Sequence, residues 1–183
     1  MVVQGLIVSI EEGEVEVQKE PAGVCNALAR GQSRAKYVHD FQRGQLGEWV
    51  AHYALKHSCA DLSVSEPDTS RNLNNHDADL VGKYRYHVKV ASSYGGPTSW
   101  VFQDTAISNL TEKDIFIGVY LSDFHYCKGS VQFVVPWNNC MEMLKPMQKE
   151  SLSSKRALYE YDLVQKYPPI ESMSGLKGVI DGI

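Results

Sequence analysis

A change of hydrophobic period at residues 77–90 constrains this chain more than any other feature. Asp77-Ala78-Asp79-Leu80-Val81, then Gly82-Lys83, then Tyr84-Arg85-Tyr86-His87-Val88-Lys89-Val90 reads as two strands around a two-residue turn led by glycine. Period-two alternation broken by a glycine that tolerates positive φ is what a tight hairpin requires. Side chains two apart on a strand share a face, so His87 and Lys89 project together, and Asp79 lies roughly across from residues 86–88. Upstream the period is helical: Leu46, Val50, Tyr53, Ala54 and His57 recur at steps of three and four, which predicts a helix over about residues 45–57.

The rest of the chain extends the same mixture. Residues 2–10 and 14–18 alternate around Glu11-Glu12-Gly13, giving an N-terminal β-hairpin within residues 1–20. Residues 115–121 and 131–135 are rich in β-branched and aromatic side chains and read as strands, while 138–149 and 153–166 read as helices. Residues 61–76 are polar, with Pro67, and read as a loop; Ser92-Ser93-Tyr94-Gly95-Gly96-Pro97 reads as a flexible connection. Residues 168–183 follow Pro168-Pro169 with few apolar anchors and are expected to form a loosely held tail. Strands interleaved with helices predict an α/β fold, a single domain over 1–183 with a central mixed β-sheet flanked by helices.

Composition narrows the function classes. A chain of 183 residues, 43% hydrophobic, buries a core without disulfides or a structural metal. Cys25, Cys59, Cys127 and Cys140 contain no Cys-x-x-Cys pair, so they read as reduced thiols rather than a zinc or redox site. No apolar run reaches the roughly 18–20 residues of a membrane span, and the first residues carry no basic leader, so a cytoplasmic protein with no membrane partner is expected. Walker-type loops, Gly-x-Gly-x-x-Gly, Gly-x-Ser-x-Gly and His-Glu-x-x-His are all missing from the sequence.

The net charge of −4 argues against indiscriminate nucleic-acid binding, yet residues 30–43 hold Arg30, Arg34, Lys36 and Arg43 against Asp40 alone, with Tyr37, His39 and Phe41 interleaved. Such a strip either follows a phosphate backbone or forms a solvated helix face. Lys83 and Arg85, inside the predicted hairpin, flank the polar residues Asp79, His87 and Lys89.

What remains is a sparse polar set where a helix and a hairpin converge: Glu48, Asp79, His87 and Lys89. Each has a plain structural reading on its own. Glu48 fits a solvated helix face, Lys89 an edge strand guarded against aggregation, and His87 a satisfied histidine. Asp77 shares a strand face with Asp79 and is its rival; Asp79 is preferred because Leu80-Val81 continues the strand.

The order of these residues is similar to that of the PD-(D/E)XK, or restriction-endonuclease-like, nucleases. That family runs from a helical glutamate to an acid in a strand, then, eight or more positions later, to an acid-x-Lys in the adjoining strand, often followed by a helical Gln. Here Gly47-Glu48, Asp77-Ala78-Asp79-Leu80, His87-Val88-Lys89-Val90-Ala91-Ser92 and Trp100-Val101-Phe102-Gln103 fall in that order over residues 44–104. The sequence departs from the pattern at His87, where the family usually carries Glu or Asp. The resemblance implies a restriction-endonuclease-like core. It also implies Mg²⁺ held by Asp79, with Glu48 directly or through water and the Val88 carbonyl as a further oxygen. Lys89 would orient the nucleophile or stabilise the transition state, and Gln103 would shape the site. If His87 is a ligand, its imidazole tilts preference toward Mn²⁺, Co²⁺ or Ni²⁺. The implied activity is metal-dependent hydrolysis of phosphodiester bonds in DNA by a homodimer, two sites serving two strands. The alternative is a catalytically inactive nucleic-acid-binding or protein-interaction module in which His87 replaces the missing acid.

Overall fold

A computed structural model describes residues 7–11, 14–18, 36–67, 78–91, 97–108, 110–123, 128–147 and 154–183. In chain order these form β1 (Ile7–Glu11), β2 (Glu14–Gln18), α1 (Lys36–His57), β3 (Leu80–Val81), β4 (Arg85–Val90), β5 (Ser99–Gln103), α2 (Asp104–Ile107), β6 (Asp114–Asp123), β7 (Lys128–Pro136), α3 (Trp137–Met141), β8 (Lys145–Pro146), β9 (Lys155–Tyr159), α4 (Glu160–Lys166) and α5 (Met173–Asp181). The fold is mixed α/β, with one six-stranded sheet in the order β1-β2-β7-β6-β4-β3 and a second, three-stranded sheet in the order β5-β9-β8. The single central sheet expected from the sequence is thus replaced by two.

Within the larger sheet β4 and β6 run parallel, paired from Arg85↔Asp114 to Val90↔Val119, and the other neighbours are antiparallel. A parallel pair needs a crossover connection, and here β5 and α2 lie on it. Both faces of the sheet are covered. Ile115, Ile117 and Val119 of β6 pack with Tyr86 and Val88 of β4, Leu46, Val50 and Ala54 of α1, and Leu176 and Ile180 of α5. Phe116 of β6, facing the other way, packs with Phe133 and Val135 of β7, Trp100 and Phe102 of β5, Leu158 of β9 and Leu163 of α4. That two-sided burial explains the near-continuous apolar run of β6, in contrast to the alternation of a half-exposed strand.

The helix α1 starts well before residue 45. Gly47 lets it lie against β4, since a Cβ there would collide with the Val90 side chain, and the Arg43 guanidinium donates to the Ala91 carbonyl at 3.0 Å. At its far end Cys59 takes φ of 55°, and Ala60 N–H bonds to Leu55 O while Cys59 N–H bonds to Lys56 O, the paired bonds of a Schellman cap that usually carries glycine.

Three expectations are corrected. Residues 155–159 form a strand, not the first part of a helix: the helix-favouring Lys155-Arg156-Ala157-Leu158 is overridden by pairing with β5 and by burial of Ala157 and Leu158. The helix expected over 138–149 is only Trp137–Met141, and Lys145–Pro146 pairs with β9 instead; Pro146 would remove a helical donor and clash with the preceding turn. Residues 173–181 are no loose tail. Ser172 caps α5 by accepting from Gly175 N–H, and Leu176 and Ile180, four apart on one face, are fully buried. The N-terminal hairpin is present over residues 7–18; the part expected over 2–6 lies outside the described residues.

Docking of α5 makes Leu176 a core residue, so Leu176→Ala is expected to destabilise the protein by about 2–4 kcal/mol in a denaturant titration. A change below about 0.5 kcal/mol would show that α5 does not pack as described.

Candidate functional site

The β3–β4 hairpin is held from below by a buried carboxylate. Residues 82–84 connect the strands, Val81 facing Arg85 and Leu80 facing Tyr86, so the connection is one residue longer than expected. Asp61 accepts from Lys83 N–H at 2.6 Å and from the Tyr86 hydroxyl at 2.7 Å through Oδ2, and from Ser63 N–H and Oγ through Oδ1. Gly82 passes so close that a Cβ would strike Asp61 and the Val64 backbone. Burial pushes the Asp61 carboxyl up, but the bonds from Ser63, Tyr86 and Lys83 outweigh it and hold the group below the usual carboxylate range.

On the hairpin so fixed, Asp79 N–H donates to Tyr86 O at 2.8 Å, one residue beyond the paired Leu80 and Tyr86. Its Oδ2 accepts from Val88 N–H at 2.7 Å and lies 3.4 Å from the Lys89 ammonium. Lys89 Nζ also donates to the Val88 carbonyl at 3.1 Å and stands 5.9 Å from the centroid of the Phe102 ring. Asp79, Val88 and Lys89 are therefore brought together as expected. A carboxylate oxygen and a carbonyl oxygen converge on one cationic group, a donor set suited to a hard cation.

His87 shares the strand face of Lys89 but turns to the neighbouring strand, its Nε2 2.7 Å from Asp114 Oδ1. Asp114 is fully buried. Its Oδ2 accepts from Thr111 N–H at 2.6 Å and Thr111 Oγ1 at 2.8 Å, and Arg85 Nε lies 3.3 Å from Oδ1. Burial pushes the His87 imidazole down, and the bond to Asp114 offsets this only in part. Burial pushes the Asp114 carboxyl up, and the donors from His87 and Thr111 more than reverse it. A neutral imidazole donating to a carboxylate satisfies both directions.

Glu48 is half-buried on α1, immediately after Gly47, which packs on the residue following Lys89. Gln103 ends β5 with an exposed side chain opposite Lys155, on a strand rather than the helix of the family pattern. Arg43 is tied to Ala91. Lys83 lies 3.9 Å from Asp181 and over the Tyr84 ring. Lys36 opens α1, and its side chain, like Arg30, Arg34 and Asp77, lies outside the described residues. Among the described residues no three His, Cys, Asp or Glu side chains gather in a group that could hold a metal ion; Mg²⁺ needs no such cage, because it keeps several waters and binds through one or two carboxylates. Also among the described residues, no helix is long and apolar enough to cross a membrane.

Sequence reasoning missed Asp61, Thr111 and Asp114. Asp61 opened a segment read as loop, and Asp114 preceded a strand where an acid is unremarkable; each acts through a partner distant in sequence. Compared with family models, curated proteins and solved structures, the chain matches none of them.

Both His52 and His87 are buried and held below their ordinary value of 6.5. The unfolded chain therefore binds protons near pH 6 that the folded protein refuses. Their stabilising contribution is complete above 6.5 and is lost as pH falls toward the depressed folded values. Asp61 and Asp114, also depressed, add a loss of the same sign below 3.8. The melting temperature is expected to fall between pH 7 and pH 5; a flat or rising profile in a thermal scan would contradict neutral buried histidines.

Proposed function

We propose that this chain is a metal-dependent nuclease that hydrolyses phosphodiester bonds in DNA, built on a restriction-endonuclease-like core and acting as a homodimer. The observation that carries the reading is the convergence of Asp79 Oδ2 and the Val88 carbonyl on Lys89 Nζ, at 3.4 and 3.1 Å. An acid, a strand carbonyl and a lysine meet on one hairpin in the order of the family pattern, with His87 in place of its second acid.

In this reading Asp79 and the Val88 carbonyl would hold Mg²⁺ or Mn²⁺ together with water, and Glu48, on the helix that packs against the other face of β4, would reach the metal through water. When bound, the metal supplies a water acidified for attack at neutral pH and charge neutralisation on the phosphodiester. The protein residues do the rest. Asp79 fixes the hairpin through Val88 N–H and, with the Val88 carbonyl, holds the Lys89 ammonium in place. Lys89, its side chain 30% exposed, presents an ammonium to the negative charge that builds on the phosphoryl oxygens. Phe102 and the partly buried surroundings lower the local dielectric, which strengthens that interaction. Arg85, 40% exposed beside the site, extends the positive edge toward the phosphate backbone, and Lys83, Arg43, Arg30, Arg34 and Lys36 are the further contacts proposed for it. Gln103 is proposed to shape the site from the end of β5.

A second reading, a nucleic-acid-binding or protein-interaction module without catalysis, is favoured by one observation: the residue in the position of the family's acid, His87, is engaged by Asp114. The two readings separate on cleavage of supercoiled, linear and single-stranded DNA and a structured RNA with Mg²⁺, Mn²⁺ or EDTA. We expect metal-dependent cutting of DNA, lowered by about 10²-fold or more in Asp79→Ala and Lys89→Ala with the circular dichroism spectrum retained. Full activity in either variant refutes the site assignment. No cutting by folded protein with any metal, accompanied by binding that survives EDTA, selects the second reading.

A further inference from the structure

We infer that Asp114 is a positioning residue: it holds His87 as the Nε2–H tautomer and so makes Nδ1 the nitrogen offered to a divalent cation. The inference rests on the reading of the β3–β4 hairpin as a metal site, and it assigns a task to a residue outside the family pattern.

Both oxygens of Asp114 face donors. Oδ2 receives Thr111 N–H and Oγ1–H, and Oδ1 receives His87 Nε2 with Arg85 Nε beside it. An ionised carboxylate only accepts, so the ring nitrogen that faces it carries the hydrogen. A neutral imidazole has one such hydrogen, and its lone pair then belongs to Nδ1. Pairing of one ring nitrogen with a carboxylate is the arrangement that fixes tautomer and orientation in metal-ligating histidines. The ring lies on the strand face of Lys89, and the Asp79 carboxylate bonds the amide of the next residue, Val88, so the nitrogen left over is offered on the hairpin that carries the proposed metal oxygens. An imidazole nitrogen in this set favours transition metals over Mg²⁺.

The near-isosteric Asp114→Asn isolates this role. The two Thr111 donors keep the remaining carbonyl oxygen on their side, which turns the new amide N–H₂ toward His87. That amide donates to Nε2, and the ring hydrogen moves to Nδ1. Thr111→Val removes one tie to Asp114 but keeps the carboxylate, and so loosens the network without reversing the tautomer.

The test is long-range ¹H–¹⁵N spectroscopy of histidine-labelled protein, titrated with Zn²⁺ as a diamagnetic probe. In the native protein and in Thr111→Val, His87 is expected as Nε2–H, with its Nδ1 resonance moving as Zn²⁺ is added. Asp114→Asn is expected to show Nδ1–H and a Zn²⁺ affinity lower by about 10–100-fold. An Nδ1–H tautomer in the native protein, an Nδ1 resonance that ignores Zn²⁺, or an unchanged affinity in Asp114→Asn overturns the inference. If Asp114→Asn fails to fold, the native tautomer and its response to Zn²⁺ decide. Metal-dependent DNA cutting with a silent Nδ1 removes this inference and leaves the nuclease reading. A Zn²⁺-responsive Nδ1 in a protein that cuts nothing does the reverse.

Discussion

The parallel pairing of β4 with β6 is the constraint on which the rest of the structure depends. Buried on both sides, the pair requires an apolar layer against each face, and the chain supplies α1 with α5 on one and the β5-β9-β8 sheet on the other. The crossover that parallel strands demand carries β5, whose Trp100 indole donates to the Val119 carbonyl and whose Phe102 borders Lys89. The register Arg85↔Asp114 brings a buried carboxylate beside His87. Layering and polar network thus follow from one strand alignment.

The polar residues of the hairpin form two separate systems that share β4. Asp61 locks the turn through Tyr86 and Lys83, on the side of the sheet that α1 covers. Asp79 and Asp114 take the alternating residues of the opposite face, Lys89 and His87. Buried carboxylates are costly unless fully hydrogen-bonded, and Asp61 and Asp114 meet that condition with several donors each. Packing can then proceed around fixed charges, and the Lys89 ammonium keeps partial access to solvent.

Much of this was legible in the sequence where the information is local. The alternation of residues 14–18 and 84–90, and the β-branched and aromatic content of 115–121 and 131–135, mark strands because both are properties of the segment itself. The spacing from Leu46 to His57 marks the buried stripe of α1, though not its start at Lys36. The meeting of Asp79 with Lys89 followed from hairpin geometry alone. Residues whose state is set by distant partners escaped: Lys155-Arg156-Ala157-Leu158 has the composition of a helix and becomes a strand because β5 is there to receive it. Asp114 gives no local sign of its role, since its partner His87 reaches it only through parallel pairing. Leu176 and Ile180 carried a readable four-residue spacing, but two prolines and three glycines outweighed it.

The placement of α5 bears on the order in which the molecule can form. Its buried residues complete the same apolar cluster that Leu46 and Val50 begin, so the layer over β4 and β6 stays open until residues far along the chain have been made. During synthesis, which proceeds from the amino end at roughly 5–20 residues per second, the part of the α1 face of the sheet which α5 covers stays open for several seconds after α1 and the strands have been made. A ribosome-bound intermediate with that apolar gap beside α1 is a natural client for a chaperone, and slowing translation between residues 120 and 170 would lengthen the exposure without altering the finished fold.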